Sequence, residues 1–193
     1  MLCPMATTAT PIQQPLRSSA ERLADSLVQA GLVSVGWCAA VVLAHRVEPT
    51  AAVRQLALGV HLAGLAVGFG AVLAVDAVAL GVLLSRRSGL AGAIRFAGAA
   101  EAWIWSGFAA LAVSGVFLRP HFGSPWTVLS LFAVLLVGLN GVYARDLRRL
   151  LTALPVTATA GDVPRRLALR GLVSGAVSQA AWWTAIVIGL LGR

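Results

Sequence analysis

A histidine and an aspartate sit inside one apolar run. His61 and Asp76 are the only ionisable side chains between residues 55 and 84. A run that long and that apolar reads as a membrane span, and an ionisable group inside a span is costly enough to be a functional candidate by default. Imidazole is the commonest protein metal ligand and also ligates haem iron. A buried carboxylate suits a proton relay, or else pairs with a cation such as Arg95. Along a helix the two lie about 22 Å apart, too far to share one metal. Each therefore poses its own problem.

The rest of the chain must position them. Its 193 residues are 59% hydrophobic and 11% charged, and the mean hydropathy is +0.86. Soluble domains carry roughly a quarter charged residues. The composition predicts an all-α, polytopic membrane bundle in which one domain, residues 19–193, follows a disordered tail at 1–18. Five apolar runs, at about 27–47, 55–84, 98–118, 126–149 and 167–191, each have the roughly 20 residues a span needs. Ser18 and Glu21 have the spacing of a capping box, so a helix carrying Leu23, Leu27 and Val28 starts there and lies at the interface before the first span. Pro49, Pro120, Pro125, Pro155 and Pro164 punctuate the connections. Val42-Leu43-Ala44 offers a weak signal-peptide cleavage site, but the long polar leader favours keeping the first run as a span.

The formal charge of +8 does not indicate nucleic acid, because the charges sit between the apolar runs, where they set topology. All the basic residues are arginines. Eleven belong to the N-terminal tail and the second and fourth loops, and four to the other side. That bias places the N-terminus in the cytoplasm and the C-terminus outside. His45 then ends the first span on the outer side, His121 falls in an outer loop, and His61 lies about 7–10 Å below the outer surface. His61, His45 and His121 are thus candidate ligands for a metal near the outer face. For the two loop histidines, simple solvation is the plainer reading. For His61 it is a hydrogen bond to a neighbouring helix.

At 100° per residue, Gly64 and Gly68 fall on the His61 side of the helix. Small residues four apart admit close approach by another helix, or by a flat cofactor. His61, Gly64 and Gly68 are therefore the candidate cofactor residues. Asp76, Asn140 and Gln179 form a second candidate set, a polar path or proton relay, although interhelical hydrogen bonding explains Asn140 and Gln179 equally well. Glu101 reads as a dipole-favoured acid at the start of the third span. Ala102, Ser106, Ala110 and Ser114 form a small-residue ladder along that span. Trp126 fits an interfacial anchor, and Trp182 and Trp183 lie deep enough to wall a ligand or simply to pack. Cys3 and Cys38 form neither a disulfide framework nor a metal-binding spacing. No nucleophile elbow, zinc-protease, phosphate-loop or dinucleotide motif occurs, so the chain reads as non-enzymatic.

The pattern His61-x-x-Gly64, Gly68-Phe69-Gly70, Asp76 resembles the second span of a group of uncharacterised small bacterial multi-pass inner-membrane proteins. Asn140-Gly141, Ser174-Gly175-Ala176-Val177-Ser178, Trp182-Trp183 and Gly189 fit the same pattern. More distantly, the layout is similar to CopD-like copper-resistance proteins and b-type membrane cytochromes. That resemblance implies copper or haem b as the cofactor. A single intramembrane histidine departs from the paired histidines of a di-haem cytochrome, so a bis-His haem would need His45 as its second ligand. The leading expectation is a module of the bacterial inner membrane that binds metal or haem near its outer face through His61. The alternative is a transport or complex-assembly subunit working through Asp76, Asn140 and Gln179. Expected partners are the lipid bilayer and other membrane subunits or further copies of the chain, without nucleic acid.

Overall fold

The computed structural model describes residues 19–85 and 89–191. The expected tail at 1–18, and Ser18 of the expected capping box, lie outside them. The described chain is all-helical. Helices α1 (Ser19–Arg46), α2 (Ala51–Ser85), α3 (Leu90–Val116), α4 (Pro125–Thr152) and α5 (Arg165–Leu191) are each long and apolar enough to cross a membrane. A single 3-10 turn, Ala160–Asp162, interrupts the α4–α5 connection. Rows of exposed Leu and Val on every helix give the bundle an apolar outside, which puts it in contact with a lipid bilayer.

Helix ends follow local chemistry. Pro125 opens α4 behind an extended Ser124, as proline at the first helical position should. Beyond α3, Arg119 adopts φ 52° and Pro120 blocks further helix. Thr159 and Asp162 cap each other reciprocally before α5. Two boundaries depart from the sequence reading. The segment with Leu23, Leu27 and Val28 is not a separate interfacial helix but the start of a continuous α1. The third helix starts at Leu90, eight residues earlier than expected, because Gly92 and Arg95 interrupt the apolar run without breaking the helix.

Two antiparallel hairpins, α2–α3 and α4–α5, carry the closest backbone pairing, and α1 lies against α3 and α4. In the first hairpin a step along α2 matches a step back along α3. A Cβ on Gly107 would lie 2.4 Å from the Gly68 backbone, and one on Gly64 would lie 2.9 Å from the Ala110 methyl. His61 meets Ser114 one turn further on. On that register Ala51–Leu58 extends past the end of α3 by about 12 Å. Elsewhere Gly138 of α4 accepts Val33 from α1 and Phe108 from α3, and Trp37 donates from α1 to the Leu131 carbonyl at 3.0 Å. The two hairpins themselves meet through large side chains. Phe69 and Val72 of α2 join Leu111, Val137, Ala181 and Trp182 in one buried cluster.

Candidate functional site

The seam between the hairpins is where the intramembrane aspartate finds its partner. Asp76 and Phe69 lie roughly 60–80° around α2 from His61, so they face α5 rather than α3. Gly175, Gln179 and Trp182 share one side of α5 at helical spacing. Gln179 Nε2 donates to Asp76 Oδ2 at 2.7 Å. Gly175 leaves room for the other carboxylate oxygen, since a Cβ there would sit 3.9 Å from Asp76 Oδ1. The expected pairing of Asp76 with Arg95 is not what forms. Arg95 is exposed, and an amide from α5 takes its place. Because Gln179 spends its Nε2 on Asp76, its own Oε1 and Asp76 Oδ1 remain as acceptors at the seam.

Two turns along α2, Phe69 stacks tilted on Trp182 with ring centroids 5.4 Å apart and meets Trp183 edge-on at 5.3 Å. Trp182 is 3% exposed, and its buried indole Nε1 has no hydrogen-bond partner among the described residues. Trp183 is 51% exposed and turns outward. Among the described residues the seam thus presents one buried donor and two acceptors without a hydrogen bond, all supplied by residues on facing sides of α2 and α5.

Asn140, on α4, meets a different face of α5 through Ser174. Its Nδ2 donates to the Ser174 carbonyl at 3.0 Å, and Ser174 Oγ donates back to Asn140 Oδ1 at 3.1 Å. Of the three expected path residues, two meet and the third fastens α4 to α5. No hydrogen bond joins the two pairs among the described residues.

His61 sits in the α2–α3 interface. Ser114 Oγ donates to the Ala110 carbonyl at 2.5 Å, so the 2.9 Å contact makes His61 Nδ1 the donor to that oxygen. Nε2 keeps its lone pair. The space before Gly64 and Gly68 is filled by Gly107 and Ala110 of α3, the close helix approach that their spacing allows. The small-residue ladder is realised only in part. Ala110 and Ser114 face α2, whereas Ala102 and Ser106 are exposed and Gly107 takes the central position.

The other two histidines come together. His45 and His121 line one cleft of about 260 Å³ with Glu48 and Arg119, at the histidine-bearing end of the bundle. His45 lies edge-on to Phe122 at 5.3 Å, and Arg119 pairs loosely with Glu48 at 3.9 Å. His61 does not line this cleft. Among the described residues no group of three or more His, Cys, Asp or Glu side chains is arranged to hold a metal ion.

At the Arg-rich end, a charged cluster appears that sequence reasoning missed. Glu101 is not a helix-start acid. It lies three turns into α3, half-buried, with Arg148 on one carboxylate oxygen and Arg145 against the other. Arg145 also donates to Gln29 Oε1 at 3.1 Å, and Arg149 pairs with Asp25 at 2.8 Å. The available signal was the spacing of Arg145, Arg148 and Arg149, which puts three cations on adjoining faces of α4. In the loop beyond, Asp162 accepts from the backbone N–H and hydroxyl of Thr159, and these bonds hold its carboxyl below the usual aspartate value.

No protein family, curated protein or solved structure matches this chain.

Proposed function

We propose that the chain is a non-enzymatic transport subunit of the bacterial inner membrane, with Asp76 as its protonatable group and Gln179 as the group that holds it. The observation that carries this reading is the 2.7 Å hydrogen bond from Gln179 to Asp76 across the seam. A carboxylate kept within a span is rare, faces the bundle interior and marks an ion or proton pathway. Here it lies between two hairpins that meet through side chains, so a small relative shift of the hairpins changes its partners. Asn140 and Ser174 keep α5 on α4 during such a shift. The Arg bias of the loops supports a cytoplasmic N-terminus and an outer C-terminus.

Proteoliposomes loaded with a pH-sensitive dye test the proposal. Under an imposed potential the native chain conducts protons, Asp76→Asn abolishes the flux and His61→Ala retains it. Equal flux with Asp76→Asn, or none in the native protein, rejects it. In the latter case subunits that co-purify with the native chain but not with Asp76→Asn would make Asp76 an assembly contact instead.

A second reading, binding of copper or haem b near the outer face through His61 with His45 and His121, is favoured by one observation. His45 and His121 share a cleft, next to which His61 would have to be brought, since it does not line it. An absorption spectrum and a metal analysis of protein grown with added copper and haem precursor test it. The absence of both a Soret band and stoichiometric copper would reject it.

A further inference from the structure

At the Arg-rich end the arginines of α4 and those of α5 differ. Those on α4 are matched: Arg145 and Arg148 by Glu101, Arg149 by Asp25. Those on α5 are not. Arg165, Arg166 and Arg170 are exposed, and none has an ion pair or hydrogen bond among the described side chains. The first turn of α5 holds no acid. Asp162, the nearest acid before it, is engaged by Thr159. Among the described residues, these three cations near the start of α5 face outward without an ion-pair partner.

Their position relative to the bilayer is set by length. The hydrocarbon core takes about 20 helical residues, and α5 has 27. Counted back from Leu191, the span reaches about residue 172, so all three arginines fall at headgroup level. The helix surface beneath them is apolar. Leu169, Val173 and Trp183 are 60%, 54% and 51% exposed, and Ala176 and Ala180 between them are exposed too. At 100° per residue these five positions fall within about 80° of arc; Arg165 lies at one edge of that arc, and Arg166 and Arg170 lie about 20° and 60° beyond the other.

We propose that this face of α5 binds one anionic phospholipid, its phosphate held by Arg165, Arg166 and Arg170 and one acyl chain lying along the stripe from Leu169 to Trp183. Charge complementarity selects the occupant. A zwitterionic headgroup brings its own cation against the arginines, whereas a net-negative one does not. Guanidinium groups bind phosphate oxygens in pairs, which favours arginine at such a site.

Native mass spectrometry of the full chain in neutral detergent tests this, with dioleoylphosphatidylglycerol and dioleoylphosphatidylcholine titrated separately. The native chain binds the glycerol lipid in preference to the choline lipid. Each arginine near an anionic headgroup is worth about fivefold in affinity, so the triple variant Arg165→Gln/Arg166→Gln/Arg170→Gln loses the preference and binds both lipids alike. Arg46→Gln/Arg54→Gln, at the opposite end, keeps it. Should the triple variant fail to fold by circular dichroism, the three single variants are read instead, each about fivefold weaker for the glycerol lipid. Two results overturn the proposal: a native chain that does not distinguish the lipids, or variants at α5 that keep the native preference.

Discussion

Replacing Gly107 by alanine puts the tightest contact in the bundle under load. The new Cβ would lie 2.4 Å from both N and Cα of Gly68 and 2.7 Å from the Gly64 carbonyl oxygen. Carbon atoms in ordinary contact sit about 3.5–4.0 Å apart. All three neighbours are backbone atoms, so no rotamer change relieves the clash and α2 must move off α3 by about 1 Å. Overpacking of this kind costs about 1–3 kcal/mol. The same displacement stretches the 2.9 Å His61–Ser114 bond past hydrogen-bonding range, adding about 0.6 kcal/mol. Gly70 supplies the control, because a Cβ there meets nothing within 4 Å. Gly70→Ala should be neutral or stabilising by up to about 1 kcal/mol through helix propensity. Gly64→Ala, which meets the Ala110 methyl at 2.9 Å, should fall between them. Reversible unfolding in mixed micelles at increasing dodecyl sulfate, followed by tryptophan fluorescence, gives the three free energies. If Gly107→Ala proves as stable as Gly70→Ala, the close α2–α3 packing described above is wrong.

Glu101→Gln leaves Arg145 and Arg148 facing an amide and should cost about 1–3 kcal/mol in the same unfolding assay. A double-mutant cycle with Arg148→Gln should recover much of that loss, and strict additivity would deny the contact. Asn140→Leu breaks both bonds to Ser174 and should cost about 0.6–1.7 kcal/mol; no change in stability would mean that this reciprocal pair does not fasten α4 to α5. The Asp162 carboxyl should titrate below the usual aspartate value, because its bonds from Thr159 favour the charged form. A depressed folded-state pKa means that the cap stabilises the loop above the ordinary aspartate pKa and loses that contribution as pH falls through the lowered one. Carbon-detected NMR should record this shift, and Thr159→Ala should move the midpoint back up; an unmoved midpoint would contradict the capping geometry.

Five spans were legible because long apolar runs admit few other readings. The loops were legible because proline and clustered arginine mark them. The start of α3 was not, since hydropathy averages over Gly92 and Arg95 whereas the helix runs through both. His61 could be placed on the face of Gly64 and Gly68 from periodicity alone. That Ser114 would receive it, and that Gly107 would be the residue filling the space, depended on the register between two helices. Asp76 shows the limit most clearly. Its partner Gln179 lies 103 residues away in sequence, and the nearer cation Arg95 was the more obvious choice. Glu101 was misread for the same reason: its arginines sit on another helix, more than forty residues on.

That long separation between Asp76 and Gln179 also has a meaning in time. Ribosomes add about 5–20 residues per second, so Asp76 is synthesised roughly 5–20 s before Gln179. From its entry into the membrane until α5 follows, α2 must hold a carboxylate in or near hydrocarbon with no partner from α5, at a cost of about 2.5–3.5 kcal/mol if the group sits near the helix centre. The helix that carries this burden is also the longest and most apolar of the five. Its surplus of Leu, Val and Ala, beyond what spanning alone requires, offsets the insertion cost of a side chain whose counterpart has yet to be synthesised.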